Sequence, residues 1–245
     1  MSTPPIPAAT LVLFRDSPDG PEHLFVERAT TMVFAGGAVV FPGGRVDPGD
    51  HELATRYPHL DPVDAAARIA AVRETIEETG IAVGIDANVE VLRTALGEGA
   101  SLGTVLDALG LPLDVDGLVP FARWCPNFKE TRTFDTHFYL ARVEADHAVA
   151  RVDATENTHL FWARASQVLE RADAGEVKII FPTRRNLERL ATLDGFDTAR
   201  FHAAAYPVET ITPWMEARDG KRYLCIPEGL GYPVTSENLD QAMRG

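Results

Sequence analysis

Two cysteines in 245 residues, Cys125 and Cys225, are too few for a disulfide-stapled scaffold. They form no CxxC or Cys/His spacing, which excludes a structural zinc site of the usual kind. They read as reduced thiols, and a cytoplasmic location is the expectation. No apolar run is long enough to span a bilayer, so no membrane partner is expected. The start, MSTPPIPAAT, lacks the basic region and apolar core of a signal peptide. Basic charge is scarce: 23 Lys and Arg against 36 Asp and Glu leave a formal net charge of -13. That balance excludes sequence-independent nucleic-acid binding, which needs a basic surface. An anionic small-molecule substrate would therefore need a metal ion and locally placed arginines. Internal repeats and low-complexity linkers are missing as well.

Hydrophobic residues, at 45%, suffice for a full core in one elaborated domain, or in one domain with a small appendage. Residues 8–15 and 23–28 read as strands joined by turn residues 16–20. Gly36 and Gly37 interrupt a short apolar strand, and Pro42-Gly43-Gly44 reads as a tight loop ending it. Residues 48–60 read as polar loop, and 81–85 (IAVGI), with 89–92 (VEVL) as a second candidate, as strand or irregular chain. Ser101 to Gly110 has a cap, a Leu/Val stripe and a stop, the marks of a short helix. Residues 118–124 and 132–143 read as a strand pair, and 159–163 as another short strand. Helical pattern follows over 166–172, 182–193 and 198–205, and then Asp219-Gly220 between two strand-like runs marks a hairpin. Mixed strands and helices of both periods point to α/β or α+β layers.

The densest stretch is Asp61 to Ile81, DPVDAAARIAAVRETIEETGI. Asp61 suits an N-cap, Pro62 the first helical position and Gly80 a left-handed terminator. Ala65, Ile69, Val72 and Ile76 share one apolar stripe, while Glu74, Glu77 and Glu78 gather on roughly the opposite face. Those glutamates oppose stability. Two lie in the last turn, where the helix dipole disfavours an anion by about 0.3–1 kcal/mol each. Glu74 and Glu78 also repel at i, i+4, and Arg73 can offset only one neighbour through Glu77. A hard divalent cation would turn that repulsion into coordination; an ordinary solvated acidic face is the bland alternative.

Set beside Gly44, the run Arg73-Glu74-Thr75-Ile76-Glu77-Glu78-Thr79-Gly80-Ile81 resembles the signature of the Nudix hydrolases. In that signature a Gly, five residues and a Glu precede, by seven residues, an REUxEExGU run with U a bulky aliphatic. Here Asp50 stands where the first Glu would be, and 22 residues separate it from Arg73, an apparent insertion of about 15. Gly37-Ala38-Val39-Val40-Phe41-Pro42-Gly43-Gly44 also fits the GxxxFPGG element of coenzyme A-type members, without that element's preceding Ser and Arg spacing. The resemblance is therefore to the coenzyme A diphosphatase-like subgroup with an interrupted box, over residues 8–163.

The resemblance implies an α/β/α sandwich around a mixed β-sheet, with helical insertions near 51–60 and 85–116. Residues 164–245 would be a helical and hairpin extension packed on the same domain. It implies hydrolysis of a diphosphate linking a nucleoside to another moiety, with Mg2+ or Mn2+ held by Gly44, Glu74, Glu77 and Glu78. Glu77, Glu78 and Arg73 are the implied catalytic group, Arg73 by orienting a carboxylate. Glu156, six residues before Trp162, is the candidate general base, with Glu130 and Glu98 as competitors. Arg132, Phe41 and Arg45 are candidate substrate contacts, although Arg132 could equally pair with Asp135. Trp124 and Phe128 fit core packing better than base stacking. Coenzyme A or its acyl esters lead as substrate, NADH and ADP-ribose follow, and a non-catalytic binding module is the alternative class. Trp214, Tyr223 and Tyr232 are the candidate residues for a homodimer interface.

Overall fold

The computed structural model describes residues 4–29, 35–126, 133–144 and 157–239. Eleven strands and seven helices are found among the described residues. The chain begins with β1 (Ile6–Phe14) and β2 (His23–Arg28), followed by the short β3 (Val39–Val40) and β4 (Gly43–Arg45). Four helices come next: α1 (Pro48–Ala54), α2 (Pro62–Thr79), α3 (Val89–Gly97) and α4 (Leu102–Leu109). Strands β5 (Val119–Trp124), β6 (Phe134–Arg142) and β7 (Asn157–Ala163) complete the first two-thirds. Helices α5 (Ala165–Asp173), α6 (Phe181–Leu190) and α7 (Phe196–Ala205) then precede β8 (Thr210–Ile211), β9 (Trp214–Arg218), β10 (Lys221–Cys225) and β11 (Ser236–Asn238).

A mixed five-stranded sheet, β4-β1-β6-β5-β8, forms the middle layer. β1 runs parallel to β6 and β8 parallel to β5, whereas β4 and β5 pair antiparallel with β1 and β6. Alternation along β1 divides its side chains between two cores. Ala9, Leu11 and Leu13 pack under α2 with Ile69, Val72 and Ile76, roofed by Leu53, Leu92, Leu96, Leu102 and Leu106 of α1, α3 and α4. Val12 and Phe14 face the other way, against Phe25, Phe41, Val168, Leu187 and Leu190. A second sheet, β3-β2-β7, and helices α5 to α7 build that layer. The expected α/β sandwich around a mixed sheet is the observed architecture.

α2 begins and ends where its caps dictate. The Asp61 carboxylate accepts from the Val63 and Asp64 N–H groups, and Gly80 closes the helix at φ 69. α4 is likewise closed by Ser101 and Gly110.

Three local expectations are corrected. Residues 48–54 form α1 rather than loop, because Pro48 occupies the first turn and the Asp50 side chain accepts from the Asp47 N–H at 2.8 Å. Residues 89–97 form α3: Asn88 caps Glu90 N–H, and Leu92 and Leu96 bury one helical stripe that outweighs two β-branched valines. Gly43 and Gly44 are not a free turn but the start of β4, paired with Thr10 and Ala9.

The C-terminal hairpin forms as its Asp-Gly predicts, with φ of 50 and 74 at Asp219 and Gly220. No helix among the described residues is long and apolar enough to cross a membrane.

Candidate active site

Three elements meet at the glutamates: the C-terminal half of α2, β4 beneath it and α1 alongside. Close approach requires both glycines of β4. A methyl group on Gly44 would overlap the Glu74 carboxylate, and one on Gly43 would strike the Ala9 carbonyl oxygen and Thr10. The Gly43 N–H donates to Glu78 Oε2 at 2.9 Å.

Arg73 ties the pieces together. Its Nε and Nη2 donate to the two Asp50 oxygens at 3.0 and 2.9 Å, and Nη2 also reaches the Arg45 carbonyl at 2.8 Å. On its other edge, Nη1 donates to Glu74 Oε1 at 3.0 Å and Glu77 Oε2 at 3.2 Å. The planar guanidinium thus spends its fork on Asp50 while touching two helix carboxylates. Asp50 is 2% exposed, and its remaining acceptor capacity takes the Asp47 N–H.

The charges are under strain in the expected sense. Burial pushes the Glu74 carboxyl up to about 8; Arg73 opposes the shift, and the Glu78 and Glu77 charges add to it. Burial also raises Glu77, again against Arg73. For Arg73, burial would lower the value, but the Asp50 hydrogen bond and the charges of Glu74, Asp50 and Glu77 outweigh it and raise it.

This donor set fits a hard divalent cation in kind. It offers three carboxylates on one helix face, one of them favouring a proton that a cation would replace, under a glycine that leaves room only for a carboxylate. Among the described residues, no three His, Cys, Asp or Glu side chains converge as a ready metal group. Arg73 stands between Glu74 and Glu77, and Glu78 is turned to Gly43.

The other candidates fall in different places. Phe41 is corrected: it is 3% exposed, with its ring 5.0 Å from that of Phe25, so packing removes it from any substrate surface. Arg45 is exposed, its guanidinium 5.9 Å from the Phe134 ring centre. Trp124 is buried and donates to the Tyr232 hydroxyl at 3.1 Å, in the core. Tyr232 is buried with it and is withdrawn as an interface residue. Glu98 is exposed at the end of α3. Glu156, Arg132, Glu130 and Phe128 lie outside the described residues.

Sequence reasoning missed two features. The signature offers Asp50 only as a replacement for a box residue, whereas Asp47-Pro48-x-Asp50 is itself a legible helix start that buries it. Asp135 pairs with Arg123, at 2.8 and 2.7 Å, across to the neighbouring strand. Only the β5–β6 register brings those two side chains together.

No family model matches the chain. A curated Caenorhabditis elegans relative named "Putative nudix hydrolase 7" is 26% identical over 179 residues, 71% of this chain. The chain spans 57% of that relative's length. The crystal structure of a NUDIX hydrolase from Alicyclobacillus acidocaldarius superposes with a TM-score of 0.73 at 30% identity, covering 82% of this chain and 97% of that one.

Proposed function

Because the chain belongs to the Nudix hydrolase family, we propose that it hydrolyses the diphosphate bond of a nucleoside diphosphate linked to another moiety, using Mg2+ or Mn2+. The observation that carries this reading is the set of Glu74, Glu77 and Glu78 on one face of α2, closed against Gly43 and Gly44. A divalent cation bound there would neutralise diphosphate oxygens and lower the pKa of water.

The protein's own groups take distinct parts in this reading. Glu74, Glu77, Glu78 and the Gly44 carbonyl would hold the cation, for which Glu74 or Glu77 would exchange its hydrogen bond to Arg73. Asp50 holds Arg73 beside the carboxylates through two charge-assisted hydrogen bonds. Asp50 thereby serves as partner of the box arginine, on a segment lengthened by α1 and the turn after it. Arg45, which is exposed, and Arg132 are the proposed contacts for substrate phosphate, and Glu156 is the proposed general base.

Coenzyme A or its acyl esters are the proposed substrate, with NADH and ADP-ribose next. Support comes from the Gly37–Gly44 element and from the segment between Asp50 and Arg73. The test is a panel of coenzyme A, NADH, ADP-ribose and nucleotide sugars with Mg2+ or Mn2+, read by product mass. Release of 4′-phosphopantetheine and adenosine 3′,5′-bisphosphate is expected. Turnover confined to another diphosphate would reassign the substrate, and no turnover of any would favour a binding module.

A further inference from the structure

α2 ends under an electrostatic load that its own sequence does not relieve. Glu77 and Glu78 lie in its last turn, where the helix dipole disfavours anions, and no basic residue of α2 stands there to offset them. The last carbonyls of a helix also lack partners within it. Gly80 supplies one, its N–H donating to the Ile76 carbonyl at 2.9 Å. The next donor in line, the Ile81 N–H, turns instead to the Thr79 hydroxyl at 3.2 Å, and that hydroxyl donates to the Thr75 carbonyl at 2.6 Å. The Glu77 carbonyl is thereby left over by the backbone.

Arg93 of α3 takes it. Its Nε donates to the Glu77 carbonyl at 3.1 Å, and its guanidinium lies over Gly80, where an added methyl would stand 3.6 Å from Nη1. Leu92 and Leu96 of α3 are buried in the core they share with Ile76 and Ile81, which fixes the arginine against the end of α2. Arg93 thus brings a hydrogen bond and a positive charge to a helix end loaded with acids.

The turn it closes carries the site. Glu78 Oε2 accepts from the Gly43 N–H at 2.9 Å, and Glu77 Oε2 accepts from Arg73 Nη1 at 3.2 Å. Each residue contributes about 100° of helical rotation, so fraying of this turn would take both side chains off the face they share with Glu74.

We propose that Arg93 is a positioning residue for the carboxylate face: by closing the last turn of α2 from the neighbouring helix, it holds Glu77 and Glu78 beside Glu74 for the divalent cation. Its consequence for hydrolysis rests on the reading of that face given above. Arg93 acts through the Glu77 carbonyl and touches neither cation nor substrate.

The experiment compares the full wild-type chain with Arg93→Met, which keeps side-chain length without donor or charge, and with Arg93→Lys, which keeps both. Val168→Ala, in the core on the other side of the sheet, is the stability control, and melting temperatures are recorded for all. Amide exchange at Gly80 and Gly43, followed by NMR without metal, should be about tenfold faster in Arg93→Met. Calorimetry should show Mn2+ binding weakened about tenfold in that variant. Its kcat should fall with KM little changed, and Arg93→Lys should keep wild-type values in every measurement. Val168→Ala should lower the melting temperature at least as far while leaving Gly43 exchange and Mn2+ affinity as they are. Wild-type Gly43 exchange in Arg93→Met, Mn2+ binding unchanged or tightened there, or equal losses in Val168→Ala would overturn the assignment. A wild type that binds no Mn2+ would count against the metal reading alone, because exchange is read without metal and still decides the role of Arg93.

Discussion

Arg73 and Asp50 are the residues whose loss the fold should feel most. Both are buried, and removing one leaves the other without its principal partner. Asp50→Ala is expected to cost about 3 kcal/mol in chemical denaturation, since an uncompensated buried charge remains. A cost below about 1 kcal/mol would mean that Glu74 and Glu77 alone satisfy Arg73. His23 carries a separate, pH-dependent term. It is fully buried, donates from Nδ1 to the Leu13 carbonyl at 3.1 Å, and burial depresses it from 6.5 to about 4. A depressed folded-state value means the contribution is fully present above pH 6.5 and is lost as pH falls toward 4. The loss amounts to about 3 kcal/mol. His23→Gln should flatten the melting temperature over that window, and an unchanged slope would contradict the assignment.

At the scale of elements, α2 was legible because its signals are local. Asp61, Pro62 and Gly80 set its ends, and Ala65, Ile69, Val72 and Ile76 set its buried face. What the sequence hid was tertiary. The glutamate face is covered by β4 and α1 instead of water, because Gly43 and Gly44 let a strand approach that a turn would have left open. α1 and α3 were missed because short helices in polar or β-branched sequence rest on caps and burial rather than on propensity. The Arg123–Asp135 pair was hidden because pairing across strands depends on register, which a bulge between Pro120 and Ala122 also shifts. The element-scale prediction concerns Gly44. Gly44→Ala would drive a methyl into the Glu74 carboxylate, and hydrolysis should fall at least a hundredfold. Metal affinity by calorimetry should fall with it. Wild-type affinity in that variant would show that Glu74 can move aside.

At the scale of the whole molecule, residues 8–163 are proposed as the hydrolase domain and 164–245 as its extension, although the two share a core and a sheet. β8 adds to the edge of the central sheet beside β5, and Leu187, Leu190 and Ile226 pack with Phe121 and Trp124. The hairpin of β9 and β10 is different. β9 is the edge of its sheet, and Trp214 and Met215 are 44% and 63% exposed. An exposed edge with large apolar side chains favours pairing with another chain. A homodimer through β9 is accordingly expected in light scattering coupled to size exclusion, and Met215→Lys should shift it to monomer. A monomeric wild type would rule that assembly out.

The central claim is that the α2 carboxylates perform diphosphate hydrolysis rather than merely cap a sheet edge. Glu78→Gln tests it most directly, because the amide oxygen can still accept from the Gly43 N–H while the charge is gone. The measurement is turnover of the best diphosphate substrate with Mg2+ or Mn2+, beside the melting temperature of the same preparations. Turnover reduced by orders of magnitude, with melting unchanged or raised, is the predicted result. Near-wild-type turnover would contradict it.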